Sequence, residues 1–258
     1  GSEDQKKKYL PSLATGDRIG SFALAEKNGT PKPSNIQCEF SNGVINGVKS
    51  PVNDGMVADF IVVAANTDSN KNYNSISLFI VDTKQNEVEI EKLDTLDPTR
   101  PSARIKFNSA KAEVLGELGS GWNIIQDILN RSAVLFAFEQ VGGAQAALDD
   151  AKKYSLERYA FGKQIGAFQA LKHKMADMYV KIELAKSNTY YGAWALSTDS
   201  NELPVAAAGA RVSASEAFHY ASKENIQIHG GVGFTWEYDC HLLYRRSKLL
   251  SLNIGSIR

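Results

Sequence analysis

Between Phe168 and Thr189, apolar or small side chains fall at Phe168, Leu171, Met175, Met178, Ile182, Ala185 and Thr189, at alternating steps of three and four. That spacing places all of them on one stripe of an α-helix, the seam of a helix packed at a shallow angle against its neighbours. The second half of the chain is thereby committed to helix-on-helix packing. Upstream, from Asn123 to Tyr159, there is no proline and Ala, Leu and Gln dominate, which extends the helical reading. A third helix is expected after Pro204, a residue suited to a first helical turn, with Val205, Ala208, Val212 and Ser215 as its stripe. A fourth is expected after the Trp-Glu-Tyr-Asp run at 236–239. Four helices with short connections predict an antiparallel bundle.

Ahead of residue 120 the hydrophobic period changes to that of strands. The runs 58–67 (ADFIVVAANT) and 75–83 (SISLFIVDT) are short and β-branched, and 102–112 alternates through Ile105 and Phe107. Asn46-Gly47 lies between apolar stretches and predicts a hairpin turn, because both residues tolerate positive φ. The polar run from Asn66 to Ser75 is expected to be a loop. Such spacing predicts a sandwich or barrel of about 100 residues. The expected organisation is a residual helical or linker segment over 1–20, a β-barrel domain over 21–120 and a four-helix bundle over 121–258, with Gly119 and Gly121 at the junction. The fold class is α+β.

With 258 residues and 43% hydrophobic content, the chain can bury a substantial core. Lys plus Arg and Asp plus Glu both number 29, so the formal charge is zero. This balance argues against a broad nucleic-acid surface or a polybasic membrane patch. No apolar run is long enough to span a bilayer, so a cytoplasmic location is expected. Cys38 and Cys240 are far apart and outside any CxxC context, which predicts free thiols. His173, His219, His229 and His241 lack zinc-ligand spacing, and no metal site is expected. No Walker sequence and no GxGxxG after a strand is present, and Ser251 and Ser256 have no placed base.

Two stretches carry chemistry. In ERYAFGKQIGAFQALKHKMADM, residues 157–178, Gly162 and Gly166 interrupt the helical pattern, so Arg158 closes one helix and Phe168 opens the next. A guanidinium at a helix break, followed by Gln169 near a helix N-terminus, can hold a diphosphate. A helical hairpin whose arginine caps a C-terminus accounts for the same residues. QIHGGVGFT, residues 227–235, repeats this logic: Gly230, Gly231 and Gly233 permit close backbone approach, and Gln227 is both donor and acceptor. A tight helix–helix turn explains the glycines equally well. Arg245 and Arg246 read as a phosphate contact or as a solvated helix face. Asp177 and Glu139 read as helix-surface carboxylates or ion-pair partners.

Together with QIHGGVGFTWEYDCHLLYRRSK, residues 227–248, the 157–178 stretch resembles the C-terminal domain of the acyl-CoA dehydrogenases. Upstream, EDQKKKYLPSLATGDRIGSFALAE (3–26) and INGVKSPVNDGMVADFIVVAA (45–65) resemble the family's middle β domain, so the resemblance covers nearly the whole chain. It implies a middle β-barrel, a C-terminal four-helix bundle that forms oligomers, and FAD as cofactor. The resemblance also implies a helical domain ahead of the middle domain, which is expected to be absent here.

The resemblance assigns Arg158, Phe161 and Gln169 to the diphosphate and adenosine side of FAD, and Gln227, Gly230 and Gly231 to the same cofactor across a dimer interface. On the ring side the family's threonine is replaced by Ala25 in Ala23-Leu24-Ala25-Glu26, which leaves Leu24 and Ala25 as the contacts. Its aromatic-Ile-Thr triplet is replaced by Pro51-Val52-Asn53. The reaction requires a carboxylate to take the α-proton of an acyl-CoA thioester. At the family's usual base position stands Ile254, and at the alternative one stands Ser132, so the catalytic base is unassigned, with Asp177 and then Glu139 as fallbacks. FAFEQVGGAQ and GFTWEYDCHLLYRR resemble a bacterial branch linked to steroid or other unusual acyl-CoA breakdown, parts of which form α2β2 complexes. The resemblance thus implies a truncated or accessory flavoprotein chain, a homo-oligomer or a heteromer with a base-bearing relative. The alternative is a non-catalytic assembly subunit that binds little or no FAD.

Overall fold

A computed structural model describes residues 1–26, 31–68 and 72–255, and the chain divides into two compact units, Gly1–Asp127 and Ile128–Arg258. The first unit opens with α1 (Glu3–Thr15), followed by β1 (Gly20–Ala23), β2 (Glu39–Ser41), β3 (Val44–Asn53), β4 (Phe60–Asn66), β5 (Ile76–Asp82), β6 (Val88–Leu93), β7 (Ser102–Lys111) and β8 (Glu113–Leu115). Ser2 and Gln5 form a capping box at the start of α1, and Gly16 at φ 78° closes it in the left-handed conformation.

The strands make one sheet in the order β6-β7-β3-β2-β4-β5-β8, with β1 parallel to β4 beside β2. Among the described residues β6 and β8 do not pair, so the sheet stays open where a closed barrel was expected. Each end is protected locally. The Gln5 amide donates to the Val114 carbonyl of β8 at 2.7 Å and to Glu113 at 2.8 Å, while β6 presents Glu89, Glu91 and Lys92, charges that discourage further pairing.

The strand periods behave as their burial demands. In β7, Ile105 and Phe107 point into the core and their neighbours outward, whereas β5 is buried on both faces and reads as a continuous apolar run. The hairpin turn lies one Asn-Gly earlier than expected. Asn42 (φ 51°) and Gly43 (φ 84°) connect Ser41 to Val44, the two-residue turn with positive φ at both positions. Asn46-Gly47 instead lies inside β3, paired with Asn108 and Phe107. Gly47 is needed there because a Cβ would stand 2.5 Å from the Cys38 sulfur. The polar 66–75 run is tied at both ends, with the Ser75 hydroxyl donating to Asn66 at 2.9 Å; residues 69–71 of it lie outside the described part.

One ionic contact holds the middle of this unit. Lys49 is fully buried, and its ammonium donates to Glu26 at 2.6 Å and to the Leu24 carbonyl at 3.2 Å. Glu26 also accepts from the backbone N–H groups of Gln37 (2.5 Å) and Cys38 (3.0 Å). Burial pushes the Cys38 thiol up to about 12, against the opposing pull of Lys49. Both cysteines are free and buried.

The second unit is built from four helices: α2 (Gly121–Glu157, which begins in the first unit), α3 (Gln169–Ser197), α4 (Leu203–His229) and α5 (Cys240–Leu252). Side-chain contacts give their directions. Ser155 meets Met175 and Gln145 meets Lys186, so α2 and α3 run antiparallel. Lys174 pairs with Glu224 while Gly192 faces Ala210, and Ser222 meets Ser247 while Arg211 meets Ser251. Antiparallel packing therefore continues through α4 and α5. The seam of α3 is buried as its spacing requires at Met178, Ile182, Ala185 and Thr189. Helix α4 buries the expected Ser215, but the rest of its expected stripe is out of phase. Val205 and Val212 are 77% and 40% exposed, and the buried face is Ala206, Ala207, Ala210, Ala214, Ala217, Phe218 and Ala221. Small residues there allow close approach: a Cβ on Gly143 of α2 would stand 2.4 Å from the Phe218 ring.

Removing one partner of a buried ion pair leaves an uncompensated charge and costs about 3–5 kcal/mol. Lys49→Met is expected to destabilise by that amount in urea unfolding, and Lys49→Met with Glu26→Leu to recover much of it. A loss below about 1 kcal/mol in the single variant would show that the pair behaves like a surface contact.

Candidate functional site

Arg158 follows the last residue of α2 and its N–H still donates to Tyr154 O at 2.9 Å. The chain then turns through a two-stranded hairpin, β9 (Tyr159–Ala160) and β10 (Lys163–Gln164), with Phe161 at φ 52° and Gly162 at φ 79° at its tip. Phe161 is 95% exposed and edge-on to Phe168 at 6.3 Å. The hairpin is anchored by Ile165 N to Arg158 O (2.8 Å) and by the Gln164 amide to Leu156 O (2.6 Å). Gln169 opens α3. The side chains of Arg158 and Gln169 are exposed, and neither has a hydrogen-bond or ion-pair partner among the described residues.

The second stretch ends α4. Gln227 is exposed and its side chain has no partner among the described residues. Gly230 adopts φ 67° and ψ −140°, a conformation open to glycine, and then Gly230–Phe234 forms a 3-10 turn. A Cβ on Gly230 or Gly231 would meet nothing within 4 Å, so the backbone there is bare. The two stretches come together through aromatic rings. Tyr154, one turn before Arg158, stacks on His229, which immediately precedes Gly230, at 4.1 Å between centroids. Tyr238 stands edge-on to both, at 5.7 and 5.3 Å. Burial raises the pKa of nearby Asp150; His229 lowers it, and Asp239 raises it further. Of this cluster only His229 was noticed in the sequence, as a residue without zinc-ligand spacing. The available signal was positional, since Tyr154 lies four residues before Arg158 on the same helix face.

The two positions expected for a base lie together at the other end of the bundle. Ile254 packs on a cluster containing Ala133 and Val134, directly after Ser132, with Ala195, Leu203, Ala206 and Ala207. Its segment is clasped by Arg211, whose guanidinium donates to the carbonyls of Ile254 and Ser251 at 3.3 Å each and to that of Gly255. Burial lowers the pKa of Arg211. Ser256 lies outside the described residues. Ser132 and Arg158 are separated along α2 by about seven turns, or about 39 Å.

The fallback carboxylates belong to neither end. Glu139 accepts from Arg246 Nε at 2.8 Å and Nη2 at 2.5 Å, and Asp177 is exposed on α3 near Tyr220. Arg245 lies over the Trp236 ring at 5.5 Å. In the first unit the Ala25 carbonyl accepts from Ser50 N at 2.8 Å and the Leu24 carbonyl from Lys49, and Asn53 accepts from Ser102 at 3.2 Å.

Comparisons with known proteins agree on the class. A family model described as "Acyl-CoA dehydrogenase, C-terminal domain" matches residues 119–257. The "Probable acyl-CoA dehydrogenase YngJ" of Bacillus subtilis is 35% identical over 99% of this chain and 70% of its own length. The "Caffeyl-CoA reductase-Etf complex subunit CarC" of Acetobacterium woodii is 32% identical over 99% of this chain and 70% of its own. The butyryl-CoA dehydrogenase structure from Megasphaera elsdenii aligns with TM-score 0.92 and 31% identity over the whole chain and 70% of that structure. The chain therefore belongs to the acyl-CoA dehydrogenase family, a family of FAD-dependent oxidoreductases.

The residues present suit one end of FAD better than the other. Among the described residues, a guanidinium and two amide side chains without partners lie near a bare glycine backbone, the groups that a diphosphate requires. Ala25 has no hydroxyl to offer the ring, and its own carbonyl is already engaged. Glu139→Gln is expected to cost no more than about 1 kcal/mol through loss of the Arg246 pair, and Asp177→Asn less. Neither should change FAD binding in a fluorescence titration, and a tenfold loss in either variant would place that carboxylate in the cofactor site.

Proposed function

We propose that this chain holds the diphosphate and adenosine side of FAD through Arg158, Phe161, Gln169, Gln227, Gly230 and Gly231. In this reading it serves α,β-dehydrogenation of an acyl-CoA thioester as an accessory chain beside a related subunit that carries the base. The observation that carries the reading is the length of α2. Arg158 and the Ser132–Ile254 end are about 39 Å apart, farther than one extended dinucleotide reaches, so each end of the bundle serves a different flavin. Sites of that kind are composite and can be divided between unlike subunits.

FAD, when bound, supplies the two-electron acceptor. This chain's contribution is charge neutralisation and orientation: Arg158 offers planar, forked donors to phosphate oxygens, and the Gly230–Gly231 backbone permits close approach. Proton removal is the missing function. Ile254 has no lone pair and sits against apolar side chains, and a serine hydroxyl at 132 is far too weak a base at neutral pH to replace a carboxylate. A general base is worth about 10²–10⁴ in rate, and that factor must come from the partner chain. The CarC relative is named as part of an Etf complex, which supports an electron-transferring flavoprotein as the acceptor. The two unbridged cysteines support a cytoplasmic setting.

Titration with FAD, followed by quenching of flavin fluorescence, tests the reading. Saturable binding is expected, and Arg158→Ala should weaken it about 10-fold or more, the loss of a charged hydrogen bond. No binding by the unaltered chain, alone or with its partner, would favour the non-catalytic assembly role, for which the loss of ring-side donors at Ala25 is the supporting observation.

A further inference from the structure

We infer that the Tyr154–His229 stack is a positioning clasp that sets the Gly230–Gly231 turn against the Arg158 end of α2. The inference rests on the assignment of both segments to the FAD diphosphate. His229 is held on every side. Tyr154 covers one ring face at 4.1 Å and 23° between planes, Tyr238 stands edge-on, and Nδ1 lies 2.9 Å from Asn225 O. That carbonyl can only accept, so Nδ1 carries a proton and donates. His229 is only 6% exposed. The turn folds back near the base of this side chain: a Cβ on Gly233 would stand 3.0 Å from His229 Cβ and 2.8 Å from Ile226 O. The turn thus lies close against the base of the His229 side chain, leaving no room for a side chain at 233.

Tyr154 is equally constrained. It packs on the bundle core with Leu148, Met175 and Ile228, and its carbonyl accepts the Arg158 N–H at 2.9 Å. One ring pair thus links the last turn of α2 to the last turn of α4, and among the described residues the exposed donors on the two sides make no hydrogen bond with one another. A diphosphate gripped from two segments requires their spacing to be set before it arrives, because any freedom left to them is lost on binding. Aromatic stacking adds to the burial of the two rings, and both partners are short-armed with few rotamers.

The test uses Tyr154→Phe, Tyr154→Ala and His229→Leu, alone and each with Arg158→Ala. FAD affinity is measured well below each variant's melting temperature, and backbone hydrogen exchange is measured at residues 230–233. Tyr154→Phe keeps the stack and should bind as the parent does. Tyr154→Ala and His229→Leu should bind about 10-fold more weakly or worse and exchange faster at the turn. Adding Arg158→Ala to either should cost less than it does in the parent, because the arginine has already lost its fixed partner segment. Lower melting temperatures with unchanged affinity and unchanged exchange at the turn would mean ordinary core packing and would overturn the clasp. If the parent binds no FAD, the cofactor assignment falls, and the exchange data alone decide: unchanged protection in Tyr154→Ala sinks the clasp, faster exchange upholds the coupling.

Discussion

The continuous helix from Gly121 to Glu157 is the member on which the second unit depends. Ala137, Ala144, Ala147 and Ala151 of this helix are buried against α3, α4 and α5, and Gly143 admits the Phe218 ring. With so many small residues the four helices approach closely, and dispersion over many contacts replaces large single side chains. The helix also sets functional distances. It carries Ser132 in its first half and delivers Arg158 at its end, and no packing adjustment can shorten that interval.

The first unit depends on a different device. Lys49 and Glu26 are buried together, and through Leu24 O, Gln37 N and Cys38 N they fix three segments that are remote in sequence. A buried pair of this kind is weak evidence for stability; what it visibly does is join these segments through directed hydrogen bonds. It holds the Leu24–Ala25 backbone in place even though Ala25 has no group to offer a flavin ring. On the proposed assignment, framework and ring chemistry are separable: the Lys49–Glu26 contacts order this backbone whether or not Ala25 can serve a flavin ring.

The helical half was legible in the sequence because 3–4 spacing over Phe168–Thr189 has one physical solution. Phase was harder to read in α4, where alanines occupy every face and Val205, Ala208 and Val212 mimic a core stripe while pointing outward. Turn chemistry misled in β3 because Asn-Gly occurs twice within six residues; only cross-strand pairing decides that Asn42-Gly43 turns and Asn46-Gly47 extends. Closure of the sheet depends on pairing between distant segments, which local pattern does not encode. At the site, Arg158 and the glycines were visible as residue types in suggestive order. Their link through Tyr154 and His229 was not, since a stacked pair 75 positions apart leaves no spacing signal. The apolar packing of Ile254 and its Arg211 clasp were hidden for the same reason.

In the proposed reading this chain supplies flavin-holding groups and leaves the proton acceptor to a partner. The most direct measurement is anaerobic mixing of FAD-loaded chain with a saturated acyl-CoA, with and without a base-bearing related subunit, while the visible flavin band is followed. An unchanged oxidised spectrum is expected for the chain alone, with bleaching only in the mixture. Rapid bleaching by the chain alone would contradict it, because a proton acceptor would then have to exist within these residues.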